Sequence, residues 1–198
     1  VSKDLRLALV LGANLAMVLA LVLVGVFAHS LGVLASGADY LGDALGTGLS
    51  LAALRVSRRG TGHPRAPLLA AAFNSGLLLA ITLLVAAGAV HRLAAGTPVI
   101  HAVPVVVASL VAALVMVACA LILGDVGGDL NMESVLLDTV ADAAAALGVA
   151  ASGAVILLVG GAYWLDSAVA LTIALVVALH AARLLGRAAA ELRGPARA

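Results

Sequence analysis

Six long apolar runs set the frame within which this chain can fold. They cover about 5–28, 31–56, 66–93, 98–123, 132–159 and 163–185. Each reaches the ~20 residues that a helix needs to cross a ~30 Å hydrocarbon core. A backbone in lipid has to satisfy its own hydrogen bonds, so runs of this kind fold as helices. The predicted class is therefore an all-α membrane protein with six transmembrane helices. Composition agrees: 64% of the 198 residues are hydrophobic and 11% are charged, well beyond the apolar share of a soluble domain. Residues 1–190 are expected to form the membrane domain and 191–198 a short cytoplasmic tail. Lys3 and Arg6 precede the first run as they would in a signal peptide, but the run is too long for one and no clear cleavage site follows. It is read as a retained span.

Orientation follows from the basic residues near span ends. With the N-terminus inside, Lys3, Arg6, Arg55, Arg58, Arg59, Arg65, Arg183, Arg187, Arg193 and Arg197 all face the cytoplasm, and only Arg92 faces out. Both termini are then cytoplasmic, and a bacterial inner membrane is the expected location. Tyr163 and Trp164 fall at the outer boundary, where amphipathic aromatic rings settle. The single cysteine, Cys119, excludes an intrachain disulfide and a cysteine-based metal site, and reads as a small buried hydrophobe. Nothing resembles a nucleic-acid surface.

Against this apolar background stand two matched pairs of acids. Asp39 and Asp43 lie four residues apart in the second run, Asp138 and Asp142 four apart in the fifth. Residues i and i+4 project from one face of a helix, so each pair is a two-carboxylate claw. An aspartate at the bilayer centre costs ~2.5–3.5 kcal/mol on insertion scales, and a multivalent cation is the obvious compensation. At ~1.5 Å rise per residue, Asp43 lies roughly 15–18 Å below the outer end of its span and Asp142 about 15–16 Å above the inner end of its own. The pairs therefore sit at compatible depth. Gly42 and Gly46 give the second span a small-xxx-small pattern that permits close helix approach. Four carboxylates crowded at low dielectric cannot all ionise without a cation, and a metal that binds them displaces whatever protons they hold.

The remaining polar residues have plainer readings. Asp166 follows Trp164-Leu165 and suits an N-cap of the sixth helix. Asp125, Asp129 and Glu133 sit at the cytoplasmic end of the fifth span, as caps or interfacial acids, with attraction of cations to an inner mouth as the alternative. Asn14 and Asn74 are intramembrane amides that suit interhelical hydrogen bonding. His29, His63, His91, His101 and His180 lie near span ends, none within a turn of an aspartate in the second or fifth span, and are read as interfacial.

The residues carry a family resemblance. Ser30-Leu31-Gly32-Val33-Leu34-Ala35-Ser36-Gly37-Ala38-Asp39-Tyr40-Leu41-Gly42-Asp43 resembles the second-helix signature of the cation diffusion facilitator (CDF) family. Asp129-Leu130-Asn131-Met132-Glu133-Ser134, continuing to Asp138 and Asp142, resembles its fifth helix, and His63-Pro64-Arg65 with Ala71-Ala72-Phe73-Asn74 its cytoplasmic loop and third helix. Asp166 matches an aspartate that members often carry at the start of helix six. The resemblance implies a six-helix secondary transporter, usually a homodimer, that exports divalent metal in exchange for protons. Asp39, Asp43, Asp138 and Asp142 would form the transport site, with no prosthetic group. Two departures stand out. Many zinc-carrying members have histidine at the first position of a pair, where this sequence has Asp39 and Asp138. Most also continue into a cytoplasmic metal-binding domain, whereas this sequence ends soon after the sixth run. The expected partners are the metal ion, protons, the lipid bilayer and a second copy held through membrane helices.

An all-oxygen site favours harder cations such as Mn²⁺ and Fe²⁺, yet aspartate also binds Zn²⁺ and the general affinity order favours zinc over manganese. Zinc is the favoured cargo, with iron, manganese, cobalt and cadmium open. Two rival classes fit the sequence less well. A non-transporting regulatory subunit of the same fold has no use for four intramembrane acids. An intramembrane aspartyl protease shares buried aspartates on neighbouring helices, but Asp39 is followed by Tyr40 rather than preceded by a tyrosine, and no Gly-x-Gly-Asp occurs.

Overall fold

The computed structural model describes residues 3–59, 66–124 and 130–193. Six helices follow in order: α1 Lys3–Ala28, α2 Leu31–Arg59, α3 Ala66–Ala95, α4 Ala102–Leu123, α5 Leu130–Val159 and α6 Trp164–Arg193. No strand occurs among the described residues. Val1, Ser2 and residues 60–65, 125–129 and 194–198 lie outside them. With those go the expectations resting on His63, Arg65, Asp125, Asp129 and Arg197, and the side chain of Glu133.

Helices α1, α2, α5 and α4 close into a ring, each packed on the next. The α3–α6 pair flanks it, touching α2 from both members and α5 through α6. Helix α2 thus meets four others, which suits its sequence. It is rich in Gly, Ala and Ser, and small residues let backbones approach closely where no hydrophobic drive separates protein from lipid. The other five helices are long and apolar enough to cross a membrane. Asp39, Asp43 and the small polar residues keep α2 below that measure, and its neighbours shield it.

Burial is inverted relative to a soluble domain. Small or polar side chains fill the interior, among them Ala112, Ala113, Ala146, Ala170, Ser30 and Thr82, around Tyr40, Met116 and Val149. Large apolar side chains point outward, including Leu84, Leu121, Leu158 and Phe27. Lipid is the solvent that this surface matches, and the protein is an integral, multi-pass membrane protein. Cys119 is buried against Leu7, Val10 and Leu123.

The helix ends differ from the hydropathy boundaries for local reasons. Helix α4 starts at Ala102 rather than 98. Residues 96–101 run without helix, Gly96 takes φ +106°, and His101 N–H donates to the Ala28 carbonyl at 3.2 Å. Pro98 disfavours helix in the residue before it, while Pro104 fits the first turn, where no N–H is needed. Helix α6 runs on to Arg193 because Ala, Leu, Arg and Glu after Leu185 are strong helix formers. Between α1 and α2, His29 adopts φ 58°, with His29 N–H donating to Val26 O and Ser30 N–H to Gly25 O. These bonds close the helix end in a Schellman turn. Arg92 donates to the His29 carbonyl at 2.7 Å.

Candidate metal centre

The carboxylates of Asp39, Asp43 and Asp142 each offer an oxygen, and the three atoms lie within 4.8 Å of one another. Helix α2 supplies two of them one turn apart on one face. Helix α5 supplies the third, at the place where the two helices pack. The Asp43 and Asp142 carboxylates thereby meet across the α2–α5 contact. Tyr40 lies fully buried between the helices, its hydroxyl 3.4 Å from the Asp142 carbonyl, a long contact by hydrogen-bond standards. The donor set suits a divalent cation. Around Zn²⁺ with Asp oxygens at ~2.1 Å, tetrahedral ligand atoms stand ~3.4 Å apart, so closing a 4.8 Å cluster takes only small side-chain rotations.

Asp138 stands apart from this trio. It is exposed on α5, one turn closer to Leu130, and does not join the group within 4.8 Å. It does line the same cavity, of about 210 Å³, with Asp43, Asp142, Asn14, Asn74, Thr47 and His180. That cavity reaches Leu7, Val135 and Leu184, so it extends toward the end of the bundle where α1 and α5 begin and α6 finishes.

Four sequence expectations change here. His180 is no bystander near a span end: α6 carries it into the cavity wall beside Asp138 and Asp43. It lies fourteen residues after Asp166, close to four helical turns, so the two share a face of α6. That periodicity was the available signal. Asp166 does not cap its own helix. It lies inside the first turn of α6, fully buried, and accepts from Ser30 Oγ at 2.5 Å, Leu31 N at 2.7 Å and Gly32 N at 3.3 Å. It therefore caps α2, while Ser30 Oγ accepts from Val33 N at 3.1 Å. Three otherwise orphaned N–H groups at that helix start gain acceptors, and a carboxylate there meets the positive end of the helix dipole.

The glycine pair also divides. A Cβ on Gly42 would come within 2.6 Å of Leu78 Cδ2, so Gly42 admits α3 rather than α5, while both Gly42 and Gly46 line the cavity. Asn74 reaches the Gly42 carbonyl at 3.5 Å, at the limit of a hydrogen bond. Asn14 serves the glue role less well: it is 3% exposed and its amide oxygen has no partner among the described residues.

Comparison with known proteins matches residues 7–192 to the cation efflux transmembrane domain. Among curated proteins, the metal cation efflux system protein CzcD of Cupriavidus metallidurans is 29% identical over 179 residues, covering 87% of this chain and 56% of the relative. The cation efflux system protein CzcD of Alcaligenes sp. (strain CT14) matches with the same identity and coverage. The chain thus spans about half the length of these relatives. A six-helix bundle with acids gathered on α2 and α5, matched to that domain along nearly its whole length, belongs to the cation efflux family.

Proposed function

We propose that this bundle carries a divalent transition metal, zinc first, out of the cytoplasm in exchange for protons by alternating access. The observation that carries the reading is the cluster of Asp39, Asp43 and Asp142 inside a membrane bundle. Three ionised carboxylates at that depth need a cation. A bound cation needs them ionised, so loading metal expels protons and loading protons expels metal. Alternating exposure of one such site to the two sides turns that competition into antiport. Asp138 is the fourth ligand in this account. It joins by rotation of its side chain, completing a four-coordinate oxygen site of the kind zinc accepts. Iron, manganese, cobalt and cadmium remain candidate cargoes of the same site.

The basic residues support an orientation with both termini cytoplasmic. In that orientation the cavity extends toward the cytoplasm, the side from which an exporter loads. The relatives' names, which describe efflux of cations, point the same way. The functional unit is proposed to be a homodimer formed through membrane helices.

Titration of the purified protein with zinc tests the site. Asp43→Asn and Asp142→Asn should each weaken binding beyond the roughly 10–100-fold that loss of a supporting partner costs at a metal site. Undiminished binding in the double variant overturns the assignment.

A further inference from the structure

The cavity that Asp43 and Asp142 line also carries a chemically different group. His180 from α6 and Asp138 from α5 line the wall together. Both are exposed, and neither is one of the three clustered acids. Asp138 precedes Asp142 by four residues, which places it ~6 Å nearer the start of α5. Asn14 of α1 lines the same space, 3% exposed, with an amide oxygen that has no hydrogen-bond partner among the described residues. A buried, unpartnered oxygen is costly unless something occupies its lone pairs. In a cavity that also carries an imidazole and a carboxylate, a cation with some of its water would meet that need.

We propose that His180 and Asp138, with the Asn14 amide oxygen, form a capture subsite for a borderline divalent cation in the vestibule, which hands the ion on to the cluster of Asp39, Asp43 and Asp142. The hand-off rests on the transport reading above; the binding does not. Asp138 is the moving part, pairing with His180 when the ion arrives and with the aspartates once it has passed. The subsite also supplies a selectivity that the carboxylates lack. Carboxylate oxygens suit Mg²⁺ and Mn²⁺ as well as Zn²⁺, whereas imidazole suits zinc, copper and nickel. His180 therefore filters at the entrance for ions that accept nitrogen.

The test separates the two sites. In the full chain carrying Asp39→Asn, Asp43→Asn and Asp142→Asn together, zinc titration by calorimetry in lipid nanodiscs should still find one site per chain. Adding His180→Ala should weaken that residual site by at least about tenfold, in line with the loss of one metal contact. His180→Asp should retain it while removing the preference for zinc over manganese. No residual site in a folded triple variant, or one indifferent to His180→Ala, overturns the subsite. The cluster reading is judged separately, by the single variants Asp43→Asn and Asp142→Asn. Should the triple variant fail to fold, transport by the otherwise unaltered chain decides. His180→Ala should raise the zinc KM about tenfold and leave the saturated rate and the manganese KM unchanged. An unchanged zinc KM refutes the proposal.

Discussion

Asp166 shows what a single carboxylate can hold in place. Its two oxygens take three donors from the start of α2, the helix that carries Asp39 and Asp43. Asp166→Ala should leave those donors unpaired and cost about 1.5–3 kcal/mol, the range for hydrogen bonds to a charged group. Thermal unfolding in detergent checks this, with zinc stoichiometry at the cluster unchanged. The local sequence could not reveal that role. Spacing within α6 fits a cap of α6, and the true partners are more than 130 residues away. The clustered acids were more legible, because pairs at i and i+4 and a depth count need only helix geometry. The turned-away Asp138 was not, since side-chain choice within a cavity depends on neighbours from other helices. At the same scale, three acids crowded at low dielectric cannot all stay ionised without a cation, which sets a pH dependence for the proposed metal site. Zinc bound there displaces their protons, so binding weakens as pH falls and tightens as pH rises. While one proton is displaced, the apparent Kd should change roughly tenfold per pH unit. Kd values measured across neutral pH test the slope, and a flat line is inconsistent with protons and zinc competing for the site.

Helix α2 is the element on which the arrangement turns, and its smallest residues decide who its neighbours are. Gly32 leaves room for the Asp166 carboxylate, since a Cβ there would stand 3.0 Å from Asp166 Oδ1. Gly42 does the same for Leu78 of α3. Because the clash at Gly42 is with the flexible end of a side chain, Gly42→Ala should destabilise the protein by about 1–3 kcal/mol, the usual range for overpacking. Leu78→Ala in the same chain should recover most of that loss. A double-variant cycle on thermal stability reads the coupling, and strictly additive effects speak against this contact. The small-xxx-small pattern was visible in the sequence, but which helix fills the groove was not. A pattern marks a surface for approach and leaves the partner to topology.

For the whole molecule, hydropathy foretold the number of helices and most of their extent, because the bilayer imposes one length on every span. Where it missed, as at the start of α4 and the end of α6, backbone chemistry of proline, or helix propensity beyond the membrane, set the limit instead. The outward-facing leucines and phenylalanines leave ample apolar surface for a second copy, and mass measurement from native lipid should find a homodimer. A strictly monomeric active protein contradicts that expectation. Competition between metal and protons for the cluster of Asp39, Asp43 and Asp142 is the central proposal. Its most direct test is flux in liposomes that report internal zinc and internal pH together. Zinc entering through inward-reconstituted protein should drive protons out, with both signals lost in Asp43→Asn and in Asp142→Asn. Zinc movement without proton counterflow, or undiminished zinc movement in those variants, would contradict it.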